Sequence, residues 1–462
     1  MAGEDPELRA LADDIDATLK EIDAVVARQR EVAHDTAEAA AVLATHKASL
    51  TWKALDAYRA IRLFLRARGM QARGLRARAA SIARSRETPR AVRELPLGVN
   101  VAGYLSTESG MGEAARSSIR SLEAANVPMV LTNVPSRLRT QDVSYTSFTD
   151  ENPHPFNLVH LNGDNMSTFA AARGRGYFQD RYTIGYWFWE LSKWRDDWLD
   201  GFNHVNEVWV ASEFTRACLA EVSPVPVVTM PLPFVLPDAP PLGRAHFGIP
   251  ESSTVFLLTF DVSSQTERKN PLGAIRAFRR AALPRGAATL VLKYTNAEYD
   301  RDAVRRFHEE AEGLDVTMID GYLSRPELAA LMQVSDCYLS LHRAEGFGMT
   351  LGEAMLLGKP VIATNYSGNV DFMTEANSYL VDYRLVPLTK DYGPYMRGFV
   401  WAEPDVAQAA GYIRQVALNK LAALDKGRLA LRDLRATRLP AQTGAAMRAR
   451  LDAIRAAVSV TR

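Results

Sequence analysis

The sequence predicts an α/β protein of two Rossmann-like domains facing a cleft, preceded by an α-helical N-terminal extension. Three observations carry this. From Pro96 onward, short β-rich runs alternate with helical segments, the pattern of parallel sheets covered by helices on both faces. The stretch PLPFVLPDAPPLG (231–243) holds five prolines and divides that alternation into two sets of similar size. Residues 7–94 contain one proline, Pro89, and are rich in Ala, Arg, Glu and Leu, a helical composition. The expected division is a helical extension over 1–94, a first domain over 95–235, a second over 236–400, and C-terminal helices over 401–462 that partly return to the first domain.

In the extension, Leu8, Leu11, Ile15, Leu19, Ile22 and Val26 recur every three or four residues. That stripe fits a short coiled coil through which the chain would self-associate, or a helix packed on the main body. Between Arg59 and Arg93 stand eleven arginines and one acid, Glu87, with Ile61, Leu63, Phe64, Leu65, Met70, Leu75 and Ile82 among them. Such a segment can lie on an anionic membrane surface, or dock on an acidic protein face.

The first domain is expected to begin with the strand VNVAGYL (99–105) and a helix over 112–125. Further strands are PMVLT (128–132), FNLVHL (156–161), YTIGYWF (182–188), EVWVAS (207–212) and VPVVTM (225–230). In EVWVASEFTRACL, Ser212 and Phe214 open a helix. The second set is VFLLTF (255–260), TLVLKY (289–294), VTMID (316–320), CYLSLH (337–342) and PVIAT (360–364), with helix after Trp401.

The net charge of +1 argues against a nucleic-acid binder. Cys218 and Cys337 stand in no CxxC pair, so neither a disulfide scaffold nor a zinc site is expected, and a reducing compartment is the natural reading. The start MAGEDPELRALADD lacks an apolar core, and no run approaches 18 apolar residues. The expected location is cytoplasmic, peripheral at the inner membrane face if the arginine-rich segment binds lipid.

The chemistry is concentrated in EGFGMTLGEAMLLGKPVIAT (345–364), read as loop, helix, turn and strand. Glu345 and Glu353 are eight residues apart, so two carboxylates can face one side across a helix start. Gly346 and Gly348 let backbone approach a ligand, and the amides of Gly348, Met349 and Thr350 can receive an anion. The alternative is a tight turn with solvated glutamates. A second glycine loop, ESGMGEAARSSIR (108–120), places Gly110 and Gly112 after the first strand and before a helix. In TERKNPLGAIRAF (266–278), Lys269 precedes a helix opened by Asn270-Pro271, where it can neutralise charge on a leaving group.

HRAEGFGMTLGEAM followed by GKPVIATNYSG resembles the E-x(7)-E signature of retaining GT-B glycosyltransferases, the glycosyl transferases group 1, whose donors are nucleotide-diphosphate sugars. The likeness runs from about Val99 to Val381. It implies a GT-B fold, with Glu345 on the donor sugar's hydroxyls and Glu353 on the ribose. The amides of Gly346, Phe347, Gly348, Met349 and Thr350 would hold sugar and diphosphate, and the loop of Gly110 and Gly112 would close over the diphosphate. His160 matches a histidine on the donor-sugar side; a structural histidine is the competing reading. The family pairs its lysine with an arginine about five residues upstream. Ser264 stands near that point here, and Arg268 is adjacent to Lys269, either as its substitute or as a surface residue. Trp187, Trp189 and Glu190 form a sugar-stacking or acceptor-side surface, or pack between helices.

The reaction implied is retaining sugar transfer to a glycan or lipid-linked glycan in surface polysaccharide synthesis. No metal and no cofactor beyond the nucleotide-sugar co-substrate are expected. Rival readings are another GT-B enzyme, such as a sugar-nucleotide epimerase or a phosphorylase, and a non-catalytic assembly or membrane-docking protein on a degenerate transferase scaffold.

Overall fold

A computed structural model describes residues 89–136 and 142–459. The expectations for the coiled-coil stripe, and for the arginine-rich segment up to residue 88, lie outside the described residues.

Two six-stranded parallel sheets form the body. The first contains β1 (Val99–Gly103), β2 (Met129–Asn133), β3 (Phe156–His160), β4 (Tyr182–Trp187), β5 (Glu207–Val210) and β6 (Val227–Thr229), in the order β2-β1-β3-β4-β5-β6. The second contains β7 (Thr254–Asp261), β8 (Ala288–Thr295), β9 (Val316–Asp320), β10 (Cys337–Ser340), β11 (Val361–Thr364) and β12 (Tyr379–Val381), in the order β12-β11-β10-β7-β8-β9. β1, β3 and β10 are buried at every residue, and β7 at all but its last. Helices cover both faces of such strands, which is why they read as apolar runs without alternation. The strand order reverses between β1 and β3 in one sheet and between β7 and β10 in the other. Ligands of open α/β sheets collect at these crevices.

The proline-rich joint has no regular secondary structure and is anchored by Phe234. The Phe234 N–H donates to Arg438 O (2.9 Å), and its ring stacks on Phe347 at 5.0 Å between centroids. Gly352 makes room for it, since a Cβ there would lie 2.1 Å from the ring.

Two features depart from the expected pattern. β13 (Tyr383–Pro387) and β14 (Val400–Pro404) form an antiparallel hairpin, so the helical C-terminal region begins at Val406 rather than after Trp401. The hairpin's connecting loop supplies Leu388, Tyr395 and Phe399 to the hydrophobic cluster of the first domain that holds Trp187, Trp189 and Trp194. Trp187 and Trp189 are fully buried there, so they are packing residues and not a sugar-stacking surface.

Helices Val406–Leu418 and Lys420–Thr437 pack on the second domain through Ala409, Ile413, Val416 and Ala423. Helix Pro440–Ser459 crosses to the first domain and lies on helix Gly110–Ala124. Ser121 and Thr443 hydroxyls meet at 2.7 Å, and a Cβ on Gly444 would lie 2.0 Å from Ser121 O, so the backbones nearly touch. Met447, Leu451 and Ile454 complete that core.

Candidate functional site

The chemistry-bearing residues stand at the two switch points. The glycine loop follows β1 and His160 ends β3; Arg268 and Lys269 follow β7 and Glu345 follows β10.

Glu345 is held on both carboxylate oxygens. Lys269 Nζ donates to Oε1 at 2.6 Å and Oε2 at 2.9 Å, and Arg268 Nη1 donates to Oε1 at 2.7 Å. Its backbone is fixed too, by its N–H on Ser367 Oγ (2.7 Å) and by its carbonyl accepting from Gly368 N–H (2.8 Å). Burial opposes ionisation of Glu345, but Lys269 and Arg268 outweigh it and hold the carboxyl well below its ordinary range. Burial likewise opposes the Arg268 charge, and Tyr395, Glu190 and Glu345 more than restore it. Lys269 is pulled below the ordinary amine range by burial, against the field of Glu345.

The three side chains are not equivalent. Arg268 is 6% exposed and also donates to Ala344 O (3.0 Å) and Ser264 O (3.3 Å), so it is no surface arginine. It therefore fixes the Glu345 carboxylate to the backbone at Ala344 and Ser264. Lys269, 21% exposed, is the more accessible of the two cations. The segment bearing both is bounded by Gln265 (φ 66°) and Asn270 (φ 53°), two non-glycine residues in left-handed backbone. Strain of this kind persists where the surrounding structure enforces it, and it collects at functional sites.

Glu353 lies on helix Met349–Leu356 and is buried, and burial raises its carboxyl pKa against the pull of Arg325 and Arg120. Arg325 Nη2 donates to Glu353 Oε1 at 3.0 Å, while Nη1 pairs with Glu113 on the first turn of helix Gly110–Ala124. Arg116 and Arg120 also bind Glu113. One arginine thus ties the middle of helix Met349–Leu356 to the first turn of helix Gly110–Ala124. Tyr322, just after β9, donates to Glu108 in the glycine loop. The loops at 110–112 and 345–353 therefore converge on one site.

The glycines divide by role. A Cβ on Gly112 would lie 2.2 Å from Thr107 O, so this position is closed to any side chain; Gly110 has nothing within 4 Å. Ser109 caps the helix by accepting from Gly112 N–H at 3.1 Å. Gly348 has φ +93° and opens helix Met349–Leu356 with no side-chain cap, leaving its first amides for an anion. Met349 and Thr350 are half-buried on that first turn. Gly346 and Phe347 are fixed through their carbonyl and ring respectively. Gly346 faces the first domain, where a Cβ would lie 3.3 Å from Trp189 O, and its carbonyl accepts from Ser212 Oγ (2.7 Å). The Phe347 ring is buried between Phe234 and Phe372, so only its backbone can serve a ligand.

His160 is completely buried, stacks on Tyr186 at 4.6 Å, and has no hydrogen-bond partner on either ring nitrogen among the described residues. Burial pushes its pKa down to about 3, so the ring is neutral at physiological pH and cannot act as a charged acid there.

Several residues of the site carry no motif. Glu190, which follows β4, accepts from Tyr395 Oη at 3.0 Å, and this pair flanks Arg268. Its WE context is legible, but its position opposite Arg268 is not. His342, at the end of CYLSLH, meets Ser340 Oγ and Asn369 Oδ1, both at 3.1 Å, and supports the floor beneath Glu345. Arg325 and Glu113 gave no signal beyond being charged helical residues.

Among the described residues, no helix is long and apolar enough to cross a membrane, and no group of three or more His, Cys, Asp or Glu is arranged to hold a metal ion. Both cysteines are buried free thiols.

The two-sheet architecture is that of the GT-B glycosyltransferases, and residues 258–426 match the family model described as glycosyl transferases group 1. Solved structures share the fold at low identity. The HepE protein of Anabaena, in complex with UDP-glucose, superposes with a TM-score of 0.57 at 13% identity, over 78% of this chain and 100% of that one. Sucrose-phosphate synthase from Thermosynechococcus elongatus gives 0.57 at 17%, over 78% and 100%. A glycosyltransferase from Rickettsia africae gives 0.55 at 13%, over 78% and 98%. No curated protein matches the chain in sequence.

Proposed function

We propose that this protein is a retaining glycosyltransferase that moves a sugar from a nucleotide-diphosphate donor to a glycan or lipid-linked glycan, in surface polysaccharide synthesis on the cytoplasmic side of a membrane. The observation that carries the reading is the Glu345 carboxylate, fixed by Lys269 and Arg268 beside the uncapped start of helix Met349–Leu356. The UDP-glucose bound by the similar Anabaena protein supports a nucleotide sugar as donor.

In this reading the diphosphate lies between the helix start at 348–350 and the glycine loop at 110–112. Lys269 and the helix amides absorb charge as the sugar leaves, each donor supplying about 3 kcal/mol if it matches an oxyanion-hole group. Glu345 accepts the sugar's hydroxyls, its orientation set by Arg268. The leaving phosphate oxygen takes the acceptor's proton on the same face of the sugar, which retains the anomeric configuration without a covalent intermediate. Glu353 reaches the ribose by sharing or releasing Arg325. His160 contributes as a neutral hydrogen-bonding group on the sugar side, where its ring nitrogens stand unspent. Charge compensation by Lys269 and backbone dipoles lets the reaction proceed without a resident metal.

The test is a titration of UDP, GDP and ADP and their sugars, followed by NMR of the products formed from the donor that binds. Binding of one nucleotide diphosphate and a product with the donor's anomeric configuration are expected. Failure of every nucleotide to bind refutes the enzyme reading, and an inverted product refutes retention.

A further inference from the structure

Behind the candidate site, on the far side of the 266–270 segment, lies a cavity of about 550 Å³ between that segment and the β13–β14 hairpin. The size falls within the range of small-molecule sites. Its lining is unusual in charge: five cations (Arg276, Arg306, Arg343, Arg384 and Lys390) against two carboxylates, Glu267 and Glu403.

Three of the five cations are already matched. Arg343 pairs with Glu403 at 2.6 Å, Arg276 with Glu310 at 3.2 Å, and Arg306 with Glu267 at 3.6 Å. Arg384 and Lys390 have no carboxylate partner among the described residues; Lys390 stands over the Tyr392 ring at 5.0 Å. Arg384, opposite Glu403 in the hairpin register, and Lys390, in the connecting loop, line this cavity and supply positive charge for a phosphate or carboxylate. Around them, Thr389, Glu267 and Glu403 offer the hydrogen-bonding set that a polyhydroxylated body needs, and Tyr392 offers an aromatic face.

We propose that this cavity is a second binding site, separate from the nucleotide site, for an anionic sugar: a hexose phosphate, free or at the end of a glycan. Arg384 and Lys390 take the phosphate, and the carboxylates take the hydroxyls. The site is coupled to the first through its wall. Arg343 Nη1 donates to Glu267 O at 2.6 Å, and Arg343 N–H donates to Arg268 O at 2.7 Å. A ligand whose hydroxyls compete for Glu403 therefore loosens its pair with Arg343, and Arg343 holds the segment that carries Arg268 and Lys269.

The test is isothermal titration of the full chain with glucose 6-phosphate, glucose and inorganic phosphate, without nucleotide, on the wild type, Arg384→Ser/Lys390→Ser, and Glu345→Gln. Circular dichroism confirms that each variant is folded. Glucose 6-phosphate is expected to bind saturably, one per chain, at least tenfold more tightly than glucose or phosphate. That affinity is expected to fall at least tenfold in Arg384→Ser/Lys390→Ser and to hold in Glu345→Gln. The proposal is overturned if glucose 6-phosphate does not saturate, if the double variant binds it as the wild type does, or if only Glu345→Gln loses it. The last result would place the sugar phosphate in the nucleotide site. Because no nucleotide is present, failure here leaves the transferase reading standing, and the reverse holds as well.

Discussion

Substitutions in the cluster of Glu345, Lys269 and Arg268 should separate stability from ligand binding. Glu345→Gln removes the carboxylate that accepts three hydrogen bonds, and leaves a guanidinium and an ammonium facing each other with little solvent. Breaking a buried ion pair from one side costs about 3–5 kcal/mol, because the remaining charge loses its compensation. Lys269→Met leaves Glu345 paired with Arg268 and removes hydrogen bonds to one charged group, roughly 1.5–3 kcal/mol, partly offset by burial of the methionine. Lys269 is also the more accessible of the two cations, so its loss should weaken nucleotide diphosphate binding by the same free energy, about 10–150-fold in Kd. Urea unfolding followed by tryptophan fluorescence, with titration of the nucleotide that binds the wild type, reads both quantities. The expected pattern is Glu345→Gln losing more stability than Lys269→Met, with Lys269→Met folded but poor in affinity. A Lys269→Met protein that binds nucleotide normally, or that is the less stable of the two, refutes the assignment.

Four further outcomes follow from the same geometry. Gly112→Ala should be strongly destabilising, since its Cβ would meet backbone oxygens at 2.2 and 2.8 Å, while Gly110→Ala should melt like the wild type and bind nucleotide diphosphate more weakly; equal melting temperatures would contradict the first half. Glu345 has a depressed folded pKa, so its contribution is fully present above the unfolded value of about 4.3 and is lost as pH falls further. Glu345→Gln should therefore show a flatter stability curve below about pH 4.3 than the wild type. His160 also has a depressed folded pKa, but as a base it acts with the opposite charge change: the unfolded chain takes up the proton from about pH 6.5 downward, and the native ring only near 3. His160→Phe should remove up to about 1.4 kcal/mol per pH unit of acid destabilisation between those values, measured by urea midpoints at pH 6.5 and 4.5.

What the sequence disclosed, and what it concealed, follows from how far apart the interacting residues are. The strands β1, β3, β7, β8 and β10 are covered on both faces, so they appear as apolar runs that no surface requirement interrupts. Glu345, Glu353, Gly348 and Lys269 stand in local patterns tied to helix starts, and such patterns survive in a linear reading. The β13–β14 hairpin escaped because its first strand is short, mostly exposed and ends in proline, with a twelve-residue connection whose apolar residues pair with tryptophans some 200 positions earlier. Arg325 escaped for a similar reason: its partners Glu113 and Glu353 lie on different domains, and nothing in RPELAAL marks an arginine that joins them. The aromatic run at 186–198 was visible, but composition alone could not separate a stacking surface from a packed cluster. Burial decided it.

Helix Pro440–Ser459 has a consequence for biosynthesis. Its Thr443, Gly444, Met447 and Leu451 close the groove over Ser121 and Leu122, yet more than 300 residues separate the two halves of that contact. As the chain leaves the ribosome, the first domain must wait with helix Gly110–Ala124 uncovered until the second has been made. Neither domain can then be cut away as an independent piece at the proline-rich joint. A fragment ending near residue 235 should expose that groove, collect chaperones and aggregate, and adding the 440–459 helix as a separate peptide should restore its solubility.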